Sequence, residues 1–206
     1  MPQTVLDFGS GPGRELADMA ELGIDCVGLD FVPTMVAYAR ENYPKAQFIE
    51  GDMRTVDLHR KFDLITCLGA CINYMLTNSD LEKALATFRR HCHKDTILMI
   101  EPYNTSSFVG SNTPPLEYII PDTKCGAIGK ATYEWSQIEQ IVRRKRVWEF
   151  KDGSDAIEDS YTQRLYFARE LSYFLTQNGF EVVDLHEKQQ SQIYAKSLFI
   201  LARPAF

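Results

Sequence analysis

Val5-Leu6-Asp7-Phe8-Gly9-Ser10-Gly11-Pro12-Gly13 decides how the rest of the chain is read. A short apolar run breaks into alternating glycines. From Arg14 it hands over to apolar positions at helical spacing, Leu16, Met19, Ala20 and Leu22, which end at Gly23. That is a strand, a tight turn and a helix N-terminus, the helix closed by a C′ glycine. Without Cβ atoms in the way, backbone approaches a ligand closely, and the helix offers unpaired N–H groups. A dinucleotide fingerprint, G-x-G-x-x-G, needs its third glycine for helix–strand packing. Here the pattern is D-x-G-x-G-x-G, and Arg14 stands where that glycine would fall.

Working outward, Cys26-Val27-Gly28-Leu29 reads as a second strand closing on Asp30. An acid about twenty positions after the glycines, at the next strand end, accepts hydrogen bonds from both ribose hydroxyls. Nicotinamide enzymes share that feature, so Asp30 points to a nucleoside without choosing among them. Pro33 suits a first helical position, and Met35, Val36, Tyr38 and Ala39 carry a helix to about Tyr43. Ala46 to Ile49 makes a third strand before Gly51-Asp52-Met53, and Phe62 to Leu68 makes a fourth, apolar enough for burial on both faces. Ser79-Asp80-Leu81-Glu82 reads as a capping box ahead of Ala84, Leu85 and Phe88. Thr96 to Ile100 is a fifth strand running into Glu101-Pro102-Tyr103. Strands alternating with helices specify a doubly wound α/β sheet, whose ligands sit at the carboxyl ends of the strands. Asp7, Asp30, Asp52, Leu68 and Glu101 fall there.

Beyond Tyr103 the pattern changes. A polar, proline-marked loop, Asn104 to Pro115, leads to segments that read as strands: Tyr118–Ile120, Thr132–Trp135, Ile138–Phe150 and Ile157–Phe167, with Asp152-Gly153 as a turn. This predicts an antiparallel β insertion across about 104–167, before a last helix at Arg169–Gln177 and two final strands, Glu181–Leu185 and Leu198–Ala202. Alternation divides Arg143-Arg144-Lys145-Arg146 between two faces of a strand; a solvated sheet edge is expected, with a phosphate clamp as the alternative.

The chain has 206 residues, 45% hydrophobic and 24% charged, which is one domain with its own core, 1–206. A formal charge of −6 argues against nucleic-acid binding through the whole surface. Five cysteines without a C-x-x-C spacing read as reduced thiols of a cytoplasmic protein. His91-Cys92-His93 lacks a second ligand pair at metal-like spacing, so no metal is expected. No run approaches the ~20 apolar residues of a membrane helix. Homodimerisation stays open.

The D-x-G-x-G-x-G turn resembles the first motif of class I S-adenosylmethionine (SAM) methyltransferases. Gly51-Asp52-Met53-Arg54, the run Lys61 to Cys67, and Glu101-Pro102-Tyr103 resemble a narrower group: the N-methyltransferases that dimethylate nucleotide-linked deoxyaminosugars in macrolide biosynthesis. The likeness runs from the glycine turn to the C-terminal strand. It implies a mainly parallel seven-stranded, Rossmann-like sheet ending in an antiparallel hairpin. SAM and its product S-adenosylhomocysteine are the implied cofactor, held by Asp7, Gly9, Gly11, Gly13, Asp30, Phe31, Asp52, Met53 and Leu68, with Asp52 accepting from the adenine amino group. The family's lid helices, which precede the glycine strand, have no counterpart ahead of Thr4. Its segment beside the reacting amine maps on Ala70-Cys71-Ile72-Asn73-Tyr74. Tyr74 is thereby the expected catalytic and acceptor-facing residue, with Tyr103 as a second wall and Lys196 as a candidate phosphate contact. The missing serines and glycine of that segment point toward a different small-molecule acceptor. O-methylation of another metabolite and SAM binding without turnover are the competing readings.

Overall fold

The computed structural model describes residues 1–105, 117–122, 127–188 and 197–205. Strand β1 (Thr4–Phe8) leads through the glycine turn to α1 (Arg14–Glu21), then β2 (Asp25–Asp30), α2 (Pro33–Asn42) and β3 (Gln47–Glu50). Strand β4 (Phe62–Cys67) is followed by a 3-10 turn (Cys71–Tyr74), α3 (Asn78–Arg90) and β5 (Cys92–Ile100). Four strands come next: β6 (Glu117–Asp122), β7 (Ala127–Ser136), β8 (Ile141–Phe150) and β9 (Ile157–Arg164). Helix α4 (Ala168–Gln177) and strands β10 (Phe180–Lys188) and β11 (Ser197–Pro204) complete the order.

Seven strands form one sheet in the order β10-β11-β5-β4-β1-β2-β3. Strands β1 to β5 pair in parallel, while β11 runs antiparallel to both β5 and β10. Both faces are covered, as the apolar strands require. Leu16 and Ala20 of α1 and Val36 and Ala39 of α2 pack with Val5, Cys26 and Phe48 on one face. On the other, Leu81, Leu85 and Phe88 of α3 and Leu171 and Leu175 of α4 pack with Leu6, Phe8, Leu29 and Ile65. Phe8 and Phe88 stack at 4.4 Å between ring centroids. The insertion is a separate antiparallel sheet, β6-β7-β8-β9.

Three details depart from the sequence reading. Helix α3 is capped by Thr77, whose side chain accepts from Asp80 N at 3.0 Å; Ser79 lies inside the first turn. Strand β5 begins at Cys92, four residues before the apolar run, because Phe62 pairs with Cys92 ahead of an irregularity in the β4–β5 register. The basic run is on no edge: β8 lies between β7 and β9. Its alternation holds. Arg143 and Lys145 are half exposed or more beside Glu139 and Glu158, while Arg144 and Arg146 share Asp159 on the other face.

Among the described residues, no helix is long and apolar enough to cross a membrane.

Candidate functional site

The glycine turn is tied to β2 by Gly9 N and Ser10 N, which both donate to Leu29 O, at 2.7 and 3.0 Å. Gly13 caps α1 with φ 81°, and a Cβ there would meet the Phe48 ring at 2.5 Å, so packing excludes any other residue. Gly11 is different. With φ 52° it has nothing within 4 Å of where a Cβ would stand, which leaves an open cradle over the turn. Its N–H donates to Asp30 Oδ2 at 2.7 Å, and Val32 N donates to Asp30 Oδ1 at 2.8 Å. An ionised carboxylate offers about four lone-pair sites. Two are used, and the remaining pair matches the two hydroxyls of a ribose.

Asp7 sits one residue before the end of β1 at 4% exposure. The Thr66 hydroxyl donates to its Oδ1 at 2.6 Å, and no cation pairs with it among the described residues. Burial pushes its pKa up to about 6, against the Thr66 hydrogen bond and with help from the charges of Glu15 and Asp30. A buried carboxylate without a cation favours a cationic ligand group, such as an amino-acid ammonium. Around the same strand ends, Phe31 is 70% exposed, Met53 reaches Gly9 with its methyl, and Leu68 is half buried just beyond β4. Asp52 stands two residues after β3 with its carboxylate forked by Arg54. These donors and the open cradle fit SAM.

The segment after β4 is bent by positive φ at Gly69 and Ala70 and is held from several sides. Gly69 N donates to Glu101 Oε2 at 3.0 Å, so Glu101 organises this loop. The Cys71 thiol lies against Gly9 O at 3.4 Å, which seats the 3-10 turn beside the glycine turn. Asn73 is fully buried, donating from Nδ2 to Arg164 O at 2.6 Å and accepting at Oδ1 from Tyr103 N at 3.0 Å. One amide thus fixes the segment to β9 and to the chain after β5. Gln163 Nε2 adds a bond to Ala70 O at 3.2 Å.

Tyr74 emerges from this turn 47% exposed, edge-on to Tyr161 at 6.1 Å between centroids. Tyr161 and Tyr103 share a hydroxyl hydrogen bond at 3.0 Å. Arg144 lies 4.0 Å over the Tyr161 ring, with Nη2 donating to Asp159 Oδ1 at 2.9 Å; Arg146 stacks on Trp148 and donates to Asp159 Oδ2 from Nε at 2.8 Å. Burial alone would raise the Asp159 carboxyl, but the two guanidinium groups outweigh it and hold it below the usual range. Arg144 and Arg146 thus share Asp159 on this face, beside three tyrosines.

The sequence-derived residues Asp7, Gly9, Gly11, Gly13, Asp30, Phe31, Asp52, Met53 and Leu68 therefore gather at the carboxyl ends of β1 to β4. Tyr74 and Tyr103 meet through Tyr161. Lys196 lies outside the described residues. The sequence reading missed Tyr161, Asn73 and the inward turn of Arg144 and Arg146; only the alternation of the basic run hinted at the last. His91 and His93 are structural. The His91 ring bridges Thr87 O (Nδ1, 2.8 Å) and Leu58 N (Nε2, 3.0 Å), burial holding its pKa down, while His93 Nε2 pairs with Asp63 at 2.9 Å. No metal-ligand cluster occurs among the described residues.

Comparison with known proteins meets this geometry. A methyltransferase-domain family model matches residues 5–95, from β1 into β5. The N,N-dimethyltransferase of dTDP-3-amino-3,6-dideoxy-α-D-glucopyranose from Streptomyces fradiae is 32% identical over 100 residues, 48% of this chain and 39% of that protein. Glycine/sarcosine N-methyltransferase of Halorhodospira halochloris is 27% identical over 193 residues, 88% of this chain and 67% of that protein. The matches to the two aminosugar enzymes of Streptomyces fradiae and Streptomyces venezuelae span only 39% and 42% of their lengths. Among solved structures, a SAM-dependent methyltransferase from Clostridium acetobutylicum superposes with a TM-score of 0.85 at 15% identity, over 98% of this chain and 84% of that one. The seven-stranded sheet and the antiparallel sheet thus share the fold of that solved structure.

Proposed function

We propose that this chain is a SAM-dependent N-methyltransferase acting on a small amine, such as an aminosugar linked to a nucleotide. The observation that carries this reading is the continuity of the two sites. Asp7, Asp30 and the Gly11 cradle adjoin, through Cys71 on Gly9 O, a wall of tyrosines backed by Arg144 and Arg146. The aminosugar N,N-dimethyltransferases support the acceptor class, and the guanidinium groups of Arg144 and Arg146 suit an acceptor that carries phosphate. A second reading, an amino-acid amine, is favoured by the match to glycine/sarcosine N-methyltransferase over 88% of the chain. A carboxylate would meet the same arginines.

Bound SAM would supply a methyl group on a sulfonium, for which a neutral amine is a competent acceptor. The chain's task is chiefly to hold the acceptor in contact, an effect worth ~7–11 kcal/mol when orientation is good. Asp30 would hold the ribose hydroxyls and Asp7 the ammonium. Burial raises the pKa of Tyr74, of Tyr103 and of Tyr161. At neutral pH these hydroxyls stay protonated, so they orient the amine by hydrogen bonds and act as no base. The amine sheds its proton to solvent before transfer.

The experiment is to incubate the protein with SAM and, separately, a dTDP-linked aminosugar, sarcosine and a hydroxyl analogue of the sugar, and read product masses. The expected outcome is one or two added methyl groups on the aminosugar nucleotide; methylation of sarcosine alone would favour the second reading, and of the hydroxyl analogue alone would contradict N-transfer. In the same assay Tyr74→Phe should lower kcat/KM a few-fold and Tyr74→Ala on the order of 100-fold, because loss of the ring loses the acceptor's position. The Kd of S-adenosylhomocysteine should change by less than about twofold in both. A Tyr74→Ala variant with full turnover would remove this residue from the acceptor site.

A further inference from the structure

The corner after β3 holds an arrangement that cofactor binding by Asp52 alone leaves unexplained. Asp52 Oδ1 accepts from Arg54 N at 2.8 Å and from Arg54 Nε at 3.0 Å; Oδ2 accepts from Nε at 3.0 Å and from Nη2 at 2.6 Å. Nη1 of the same guanidinium donates to Asp80 Oδ1 at 2.9 Å. Asp80 is itself held by Thr77, whose hydroxyl donates to Asp80 Oδ2 at 2.8 Å. Arg54 is thereby clamped between the end of β3 and the capped first turn of α3, and its plane cannot rotate without breaking bonds at both ends.

The count of lone pairs gives this clamp a consequence. Three N–H groups reach Asp52, namely Arg54 N, Nη2 and an Nε shared between the two oxygens, against about four lone-pair sites on an ionised carboxylate. One site is left, on a side chain that is 23% exposed. The Arg54 hydrogen bonds also hold the Asp52 carboxyl below the usual range, so it accepts and never donates. A single acceptor site of fixed direction matches one N–H of an exocyclic amino group. It opposes a carbonyl oxygen in the same place.

We propose that Arg54 sets the base selectivity of the nucleoside site, acting through Asp52 as a positioning residue that makes the carboxylate a one-site, acceptor-only reader of adenine. The inference rests on the SAM reading above. Without the fork, Asp52 turns freely, takes up a proton more readily and donates to a base carbonyl, so discrimination between amino and carbonyl falls.

The test is calorimetric titration of the wild type, Arg54→Gln and Arg54→Lys with S-adenosylhomocysteine and with S-inosylhomocysteine, which carries a carbonyl where adenine has its amino group. The wild type should prefer the adenine ligand by about 10- to 100-fold. Arg54→Gln should reduce that ratio to about threefold or less, and Arg54→Lys should fall between, since an ammonium cannot fork. In Arg54→Gln the inosine analogue should also bind more tightly as pH falls toward the carboxylate range. A merely structural arginine would weaken both ligands alike. Ratios equal to the wild type's in either folded variant overturn the inference, whereas a wild type that binds neither nucleoside removes the cofactor reading and this inference with it.

Discussion

Asp7→Asn is expected to stabilise the ligand-free protein by up to about 3 kcal/mol at pH 7.5, and to lose that gain by pH 4. The folded pKa of Asp7 is raised from 3.8 to about 6. Its favourable contribution is therefore present below the unfolded value, fades as pH rises from about 4, and is gone above about 6. At pH 7.5 the native state carries a buried carboxylate, at a cost of about 1.4 kcal/mol for each tenfold by which folding weakens the acid. An asparagine keeps an oxygen for the Thr66 hydroxyl and carries no charge. Urea unfolding at the two pH values reads the difference directly. A variant less stable than the wild type at pH 7.5 would show that the carboxylate is already compensated within the protein. The same substitution should weaken S-adenosylhomocysteine, because the ligand's ammonium loses its counter-ion. Stability and binding thus oppose each other at this residue, as expected for a site whose strain is relieved by its ligand.

The largest loss of affinity is expected from Asp30→Ala. Its carboxylate pins Gly11 N and Val32 N, and in the proposed site its remaining lone pairs would take the ribose hydroxyls. Hydrogen bonds to a charged group are worth roughly 1.5–3 kcal/mol each. Loss of two ribose bonds should then raise the Kd of S-adenosylhomocysteine by two to three orders of magnitude or more. Asp30→Asn should lose less, since its carbonyl still accepts. A Kd in Asp30→Ala within tenfold of the wild type's would place the ribose elsewhere.

The half of the site proposed to bind the nucleoside is the half the sequence displays. Asp7, the glycines and Asp30 belong to two short strands and one turn, so local spacing fixes where they lie in space. The proposed acceptor half is built from contacts between distant segments. Asn73 looks ordinary within Ile72-Asn73-Tyr74, because its partners are backbone groups of residues 103 and 164. Tyr161 becomes a wall only when β9 crosses the 3-10 turn, and Arg144 and Arg146 become an inward pair only because Asp159 stands across from Arg146 in the β8–β9 register. Alternation in the basic run was readable; which face turned inward was not. The cap of α3 shows a smaller version of the same limit. Thr77-x-x-Asp80 and Ser79-x-x-Glu82 both carry the capping pattern, and the choice fell to Thr77 and Asp80, with Arg54 reaching Asp80 from another element.

The central claim is that the glycine turn, Asp7 and Asp30 hold SAM and not a nicotinamide dinucleotide. Calorimetric titration of the unmodified protein with S-adenosylhomocysteine and, separately, with NAD tests it most directly. The account predicts saturable binding of S-adenosylhomocysteine, tightening as pH rises through about 6 because Asp7 must ionise to meet the ligand's ammonium, and no heat from NAD. Saturable binding of NAD with none of S-adenosylhomocysteine would contradict it.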